Sequence, residues 1–218
     1  DIGNYVMLLT GQPLHMYDLD KLAEQELIVR DDLEGDFVAL DEKTYKLQKG
    51  DLCITSNGKV MCLGGVMGSL ECAVDENTQN VVVEAANFDY ASIRRTSIRL
   101  ALVSDSSQRF VKGINPNQWK YVQDMTADLL IELCGAKEIG EVVNKQTKEF
   151  KPTIVESSVS YINGRLGTKF SSEVIVASLE AAGIKVTQKG DALECLIPDA
   201  RIDITGEADL SEEVIRIN

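Results

Sequence analysis

The sequence predicts an α+β protein with two domains, and two observations carry this prediction. Short β-type runs separated by turn signals fill residues 26–86, and helical patterns follow them, as in folds that segregate strands from helices. A polar stretch at 144–152 then precedes a second, smaller group of helices and strands, which is typical of a domain boundary. We expect a first domain at 1–148 and a second domain at 149–218.

Strands dominate the first half of the first domain. Between two of them, Asn57-Gly58 supplies the two positive-φ residues of a type I′ hairpin. A β-branched run at 81–86 predicts a buried strand, in which Glu84 is a carboxylate that needs an explanation. The strands predicted before it lie at 26–30, 37–41, 44–47, 52–55 and 60–63.

Two helices complete the first domain. Asp89 is a suitable N-cap for a helix that ends near Leu100. Its basic face could contact phosphate, although a solvated helix face is the simpler interpretation. Apolar residues at helical spacing predict a packing helix from Pro116 to Cys134, with Gly135 ending it. The basic face consists of Arg94, Arg95 and Arg99.

The second domain is predicted to alternate helices with a small hairpin. We expect a strand at 153–155, helices at 159–166 and 171–182, two strands joined at 189–191, and a final helix from Glu207. This order favours a compact α+β module of winged-helix type.

The composition is that of an acidic globular protein. Of the 218 residues, 44% are apolar and 26% are charged, which excludes disordered, collagen-like and coiled-coil chains. The 22 basic and 35 acidic residues give a net charge of −13. Because a surface of that sign repels phosphate, binding of nucleic acid over a broad face is disfavoured unless a basic partner assists.

Cysteine usage and hydropathy indicate a cytoplasmic protein with reduced thiols. The 5 cysteines are odd in number, widely spaced and without a C-x-x-C motif, so neither a disulfide framework nor a zinc ribbon is predicted. No apolar run is long enough to span a bilayer, and no leader pattern opens the sequence. Since the chain begins at Asp1 and stops at Asn218 within a predicted helix, we also expect it to be a piece of a longer polypeptide.

His15 is the single histidine, which excludes a multi-histidine metal site. Any hydrolytic triad would have to be built around it, and no G-x-S-x-G motif accompanies it. The alternative is a structural histidine in a turn after Pro13, whose ring the backbone satisfies.

Glu84 and a glycine-rich segment form a second candidate. Glu84 could accept a hydrogen bond from a ligand hydroxyl, or it could be a strand-edge residue that points to water. Gly64, Gly65 and Gly68 either let a ligand approach the backbone or form a sharp exit from a strand. Neither of the nucleotide-binding motifs G-x-x-x-x-G-K-[ST] and G-x-G-x-x-G is present.

An acidic cluster near the C-terminal end is the third candidate. Asp209, Glu212 and Glu213 fall at i, i+3 and i+4 of the last predicted helix, and Asp203 lies just before it. Their oxygens could hold Mg²⁺. The alternative is that acidic residues simply favour a helix N-terminus.

Two sets of short motifs follow one another along the chain. The motifs of the first domain are Gly11-Gln12-Pro13-Leu14-His15, Tyr17-Asp18-Leu19-Asp20-Lys21-Leu22, Gly64-Gly65-Val66-Met67-Gly68, Val83-Glu84, Asn87-Phe88-Asp89, Ser92-Ile93-Arg94-Arg95-Thr96 and Arg109-Phe110 with Gly113. The motifs of the second domain are Ile197-Pro198 through Arg201, Asp203-Ile204, Glu207-Ala208-Asp209-Leu210 and Glu212-Glu213-Val214-Ile215-Arg216-Ile217. In this order and spacing, these motifs resemble the β subunit of bacterial phenylalanyl-tRNA synthetase over nearly the whole chain. The resemblance implies a layered B3/B4 domain, with a β-rich core and flanking helices, at 1–148, and a winged-helix-like B5 domain, truncated at its C-terminal end, at 149–218.

The resemblance implies that the first domain is an editing domain that hydrolyses mischarged tyrosyl-tRNA(Phe). A second site is needed because an apolar pocket for phenylalanine cannot strongly reject tyrosine, which adds only a hydroxyl. By resemblance, Glu84 binds the para-hydroxyl of tyrosine, and His15 positions the ester or the attacking water. The other implied pocket residues are Pro13, Leu14, Gly68, Ser104 and Ser106.

The resemblance also implies a cofactor and partners. It implies an (αβ)2 tetramer with an α subunit, which holds the ATP and phenylalanine pocket, and it implies tRNA(Phe) as the nucleic acid bound. ATP would be used by the whole enzyme and not bound here, and neither a membrane nor DNA is an expected partner. The implied Mg²⁺ ligands, near the α subunit, are Asp203, Asp209, Glu212 and Glu213.

Three positions depart from the family pattern. Ser104 stands where threonine is common, Ser106 where alanine is common, and Val111 where an acid is usual. The Ser106 hydroxyl would alter the pocket wall, and Val111 removes a charge. An alternative function is therefore a non-catalytic fragment that binds tRNA and subunits and whose editing pocket has decayed. A free-standing editing protein is a further alternative, against which the B5-like segment argues.

Overall fold

The computed structural model describes residues 1–218, which form two compact units. The first unit comprises Asp1–Ile114 and Gln118–Val142, and the second comprises Asn115–Asn117 and Val143–Asn218. Residues 135–152 contain no helix or strand, and the polar stretch used to predict the boundary lies within them. No helix combines the length and the apolar character needed to cross a bilayer.

Four helices and eight strands build the first unit. The helices are α1 (Ile2–Thr10), α2 (Tyr90–Arg99), α3 (Asp105–Lys112) and α4 (Trp119–Cys134). The strands are β1 (His15–Asp18), β2 (Ile28–Arg30), β3 (Gly35–Val38), β4 (Thr44–Leu47), β5 (Cys53–Ser56), β6 (Lys59–Leu63), β7 (Met67–Gly68) and β8 (Val81–Glu84). All pairings are antiparallel, in a four-stranded sheet of order β2-β5-β6-β7 and two-stranded sheets β1-β8 and β3-β4.

The predicted α+β class is confirmed, and the local signals behind it are visible in the structure. Asn57 and Gly58 have φ values of 47° and 77°, as the type I′ hairpin between β5 and β6 requires. The Asp89 side chain accepts a hydrogen bond from the backbone N–H of Ser92 and caps α2. Helix α4 begins at Trp119 rather than at Pro116.

Buried apolar side chains join the sheets of the first unit to its helices. Leu63 of β6 and Ile93 of α2 belong to one buried cluster with Phe110 of α3. Gly65 lies against the same cluster with φ 68°, and an added Cβ would come within 3.0 Å of the Phe110 and Ile93 side chains. The positive φ and the close packing of Gly65 are those of the sharp strand exit, one of the two alternatives for this segment. A second buried cluster surrounds Tyr17.

The second unit packs helices on one three-stranded antiparallel sheet. Its elements are β9 (Thr153–Ser158), α5 (Val159–Leu166), α6 (Ser172–Ala181), β10 (Lys185–Lys189), β11 (Ala192–Ile197) and α7 (Glu207–Ile217), and the sheet order is β10-β11-β9. Ile162, Leu179 and Leu210 of the three helices are fully buried in one cluster with Leu193 of the sheet. The winged-helix-like assignment stays a prediction.

All five cysteines are free thiols. Four of them are buried and Cys134 is exposed.

Candidate functional site

A cavity of about 310 Å³ in the first unit contains every site residue predicted there. This volume is at the lower end of the range of ~300–1,000 Å³ typical of small-molecule sites. The structure therefore brings together residues from the segment before β1, from β1, β7 and β8, and from the start of α3, while their roles stay predictions. The predicted residues in the wall are Pro13, Leu14, His15, Gly68, Glu84, Ser104 and Ser106.

Strand pairing places His15 and Glu84 together. In the antiparallel β1-β8 pair, His15 is the direct cross-strand partner of Glu84, and Tyr17 is opposite Val82. Because side chains alternate between faces along a strand, His15, Tyr17 and Glu84 share one face. Tyr17 and Glu84 are diagonal neighbours across the strand pair. An aromatic and a long side chain can contact each other over the distance between such neighbours.

The His15 ring presents an unpaired nitrogen. Its Nε2 is buried and has no hydrogen-bond partner, so the backbone does not satisfy it as the turn interpretation required. The ring packs edge-on against Tyr17, with 4.4 Å between ring centroids. Burial lowers the pKa of His15 to about 4, so the imidazole is neutral at physiological pH.

Gly68 is the residue that makes room for this ring. A Cβ added to Gly68 would lie 2.2 Å from Cε1 and 2.7 Å from Nε2 of His15, closer than atoms can approach. Glycine is therefore required here by the side chain of His15 and not by backbone strain.

Glu84 is half-buried in the cavity wall, and its Oε2 accepts a hydrogen bond from the Tyr17 hydroxyl. Burial raises the pKa of Glu84 to about 7, and the Tyr17 hydrogen bond acts in the opposite direction. Both protonation states are therefore populated at neutral pH. The structure places this carboxyl in a cavity rather than at a solvent-facing strand edge.

The two serines at the cavity differ in what their hydroxyls do. Ser104 is the N-cap of α3, where its Oγ accepts from the Ser107 N–H at 3.1 Å and donates to the Val66 carbonyl at 2.6 Å. Its hydroxyl therefore positions α3. The Ser106 hydroxyl has only the Met7 sulfur as a partner, at 3.8 Å, and a thioether is a weak acceptor. Ser106 is the serine that retains capacity for a ligand.

Sequence reasoning missed the supports of this site. The Gln12 side-chain amide donates to the Ala86 carbonyl at 2.8 Å and ties the segment before β1 to the segment that follows β8. Tyr17 holds Glu84 from behind the cavity wall. The His-x-Tyr spacing contained the signal for Tyr17, because residues at i and i+2 share a face once the segment is a strand. Val111, in contrast, packs against the core of the first unit.

Most of the acidic side chains predicted to bind magnesium accept from protein donors in this structure, and the magnesium site stays a prediction. No group of three or more acidic, histidine or cysteine side chains is arranged to hold a metal ion. Instead Arg201 donates to both Asp203, at 2.7 Å, and Glu213, at 2.8 Å. A guanidinium thus occupies carboxylate oxygens of two of the predicted ligands.

The remaining acidic side chains of this cluster also have other roles or none. Asp209 accepts from the backbone N–H groups of Thr205, at 2.8 Å, and Gly206, at 3.0 Å, and so caps α7. Glu212 is exposed. Hydrogen bonds from Arg201 first, and then from Arg216, hold the pKa of Glu213 at about 2.

The basic face predicted on α2 is partly used by the fold. Arg99 forms an ion pair with Asp51, which is buried, and also donates to the Lys46 carbonyl at 2.9 Å. Arg94 and Arg95 are exposed. The predicted face is therefore reduced to two arginines.

Comparison with known proteins agrees with the division of the chain into two units. Residues 1–135 match the family described as the B3/4 domain, and residues 155–218 match the tRNA synthetase B5 domain. Over 218 residues the chain is 40% identical to the phenylalanine–tRNA ligase beta subunit of Streptococcus thermophilus, and over 220 residues it is 39% identical to that of Lactococcus lactis. Each alignment covers 100% of this chain but 27% of the relative, so the chain spans only that share of their length.

A solved structure supports the fold. The chain is similar to an N-terminal fragment of the phenylalanyl-tRNA synthetase beta subunit from Pyrococcus horikoshii, with a TM-score of 0.50 and 13% identity. The similarity covers 99% of this chain and 63% of that chain. The chain therefore belongs to the B3/4 domain family and, with the B5 domain that follows, corresponds to one section of a phenylalanine–tRNA ligase beta subunit.

Proposed function

We propose that the cavity of the first unit removes tyrosine from mischarged tyrosyl-tRNA(Phe) by hydrolysing its ester. The observation that carries this proposal is the pairing of His15 and Glu84 in one cavity wall, one with an unpaired Nε2 and the other with a half-buried carboxyl. The sequence identity to beta subunits supports the same assignment.

Glu84 supplies the selectivity in this proposal. Tyr17 is hydrogen-bonded to Oε2, and no protein group donates to Oε1, which is free to accept from the para-hydroxyl of tyrosine. Phenylalanine has no hydroxyl, so its ring would displace water and leave this oxygen without a partner. An unsatisfied buried acceptor costs ~1–3 kcal/mol, which favours tyrosine as the substrate.

His15 acts at the ester. Water attacks the ester carbonyl carbon, the bond from this carbon to the ribose oxygen breaks, and a proton of the water passes to that oxygen, which gives free tyrosine and uncharged tRNA. The neutral imidazole holds the water or the ester through Nε2. A ring whose pKa is about 4 is a weak base, so positioning rather than proton removal is its role.

The whole protein is proposed to be the beta subunit of a cytoplasmic (αβ)2 phenylalanine–tRNA ligase that binds tRNA(Phe), with ATP and aminoacylation in the α subunit. A net charge of −13 makes this section a poor phosphate binder, so most tRNA contacts would come from other parts of the enzyme. Magnesium enters no step, because Arg201 and backbone amides occupy three of its predicted ligands.

Deacylation of tyrosyl-tRNA(Phe) by the reconstituted two-subunit enzyme tests the proposal. We expect Glu84→Ala and His15→Ala each to slow tyrosine release by at least about tenfold, as loss of one hydrogen bond to a charged or reacting group does. Phenylalanine charging should be unchanged. Glu71→Ala is the control, since this exposed carboxylate lies outside the cavity. Absence of tyrosine release by the natural sequence, with intact charging, would favour the decayed, non-catalytic alternative.

A further inference from the structure

Tyr17 is fully buried, yet it contacts both residues proposed to act on the substrate. Its side chain is 0% exposed and does not belong to the cavity wall. Its hydroxyl donates to Glu84 Oε2, and its ring packs edge-on against His15 at an interplanar angle of 88°. One buried phenol therefore touches the specificity group and the ester-binding group from behind.

We propose that Tyr17 is the positioning residue of this site, which sets the selectivity for a para-hydroxyl by fixing which oxygen of Glu84 faces the ligand. The inference rests on the proposed function of the cavity. It adds a residue on which that function depends and which does not itself touch the substrate.

The hydrogen-bond pattern supports this role. The Tyr17 hydroxyl is the only protein donor to the Glu84 carboxyl, so this one hydrogen bond orients the carboxyl group. Burial, and then the neighbouring Cys62 and Glu84, raise the pKa of Tyr17 far above its ordinary value, so the hydroxyl stays protonated and always donates. Because Oε2 is bound to the hydroxyl, Oε1 is the oxygen left for the ligand.

Tyr17 also influences the charge of Glu84. Its hydrogen bond lowers the pKa of Glu84 against the larger effect of burial, so losing the hydroxyl would raise that pKa further. The other titratable groups at the cavity are His15, with a pKa of about 4, Cys62, whose pKa burial raises, and Asp105, an exposed carboxylate that pairs with Arg109. Glu84 is thus the group that reports on Tyr17 near neutral pH.

Tyr17→Phe in the reconstituted enzyme is the test, and Tyr45→Phe is the matched control. Tyr45 also donates its hydroxyl to a carboxylate, Asp41, at 2.7 Å, but outside the cavity. We expect Tyr17→Phe to lower kcat/KM for tyrosyl-tRNA(Phe) by roughly 10- to 100-fold, the effect of one hydrogen bond to a charged group. The inflection in its pH profile should move to higher pH, while the control keeps the natural profile.

A double-mutant cycle with Glu84→Gln separates positioning from a general loss of structure. If Tyr17 acts through Glu84, the double variant is no slower than Glu84→Gln alone. The inference would be overturned if the rate losses of the two single variants multiplied in the double variant. It would also be overturned if the pH inflection did not shift in Tyr17→Phe. The double variant buries no unpaired carboxylate, so it also gives an answer if Tyr17→Phe fails to fold.

A measurement that needs no activity keeps the two proposals apart. If the natural enzyme releases no tyrosine, the proposed function fails. The carboxyl titration of Glu84, followed by infrared difference against Glu84→Gln, then decides whether Tyr17 controls this group. A midpoint that rises in Tyr17→Phe supports the control of Glu84 by Tyr17, and an unchanged midpoint overturns it.

Discussion

Replacing Glu84 by glutamine should stabilise the first unit relative to the natural sequence at pH 8 and much less at pH 4. Burial raises the pKa of Glu84 from 4.5 to about 7 in the folded state, against the opposing Tyr17 hydrogen bond. The folded unit therefore binds this proton more tightly than the unfolded chain does. The stability that the bound proton contributes is complete below pH 4.5 and falls as the pH rises towards 7. Above the folded-state pKa of about 7 this contribution is absent.

The size of the effect follows from the same two pKa values. Each pKa unit corresponds to about 1.4 kcal/mol, so keeping an ionised Glu84 in the wall costs about 3 kcal/mol relative to its neutral form. This figure is an upper bound, because Glu84 is only half-buried and water in the cavity screens the charge. We expect a difference of about 1–3 kcal/mol between variant and natural sequence at pH 8.

Trp119 makes the assay specific. It is the single tryptophan of the chain, and it lies at the start of α4 in the same unit as Glu84. Its fluorescence during urea denaturation at pH 4 and pH 8 therefore follows unfolding of the first unit. Glu71→Gln, at an exposed carboxylate, should show no such pH dependence. A Glu84→Gln variant that is no more stable than the natural sequence at pH 8 would refute the reasoning.

Three further predictions concern Gly68, Arg201 and magnesium. Gly68→Ala forces the His15 ring out of place, so it should destabilise the first unit by about 1–3 kcal/mol and reduce tyrosine release; unchanged release would contradict the packing. Arg201→Gln leaves the buried Glu213 with Arg216 alone, so it should lower the free energy of unfolding of the second unit by about 3 kcal/mol, followed by circular dichroism. Arg216→Gln, at an exposed residue, should lower it by less than about 1 kcal/mol. Adding millimolar Mg²⁺ or a chelator should not shift the unfolding midpoint of the second unit, and a rise with Mg²⁺ would show that the ion displaces Arg201.

Elements with local signals were predictable, and elements that depend on distant pairing were not. The hairpin at Asn57-Gly58 and the helix after Asp89 follow from turn and cap chemistry within a few residues. Strand β1 has only four residues of mixed polarity, and it exists because it pairs with β8. Without that strand the position of Tyr17 behind Glu84 could not be inferred, although the cavity residues themselves followed from the family resemblance.

The same limit explains the acidic cluster. Helical spacing correctly placed Asp209 and Glu213 on α7, where the first caps the helix and the second is buried. What spacing does not encode is the partner that arrives from another segment. Arg201 precedes the helix and brings a guanidinium between Asp203 and Glu213, so a pattern that suits a cation is satisfied by a side chain.

Glu84 and Glu213 differ in the donors around them, and this difference decides which of the two is suited to bind a ligand. Glu213 accepts from Arg201 on both oxygens and from Arg216, which fixes its charge and leaves little acceptor capacity. Glu84 accepts from a single neutral hydroxyl on one oxygen, so burial dominates its pKa and the other oxygen accepts no hydrogen bond from the protein. A ligand hydroxyl adds the partner that Glu84 lacks, whereas Glu213 could bind one only by giving up an arginine. The number and charge of the donors, rather than the residue type, therefore favour Glu84 over Glu213 as the glutamate that accepts from a ligand hydroxyl.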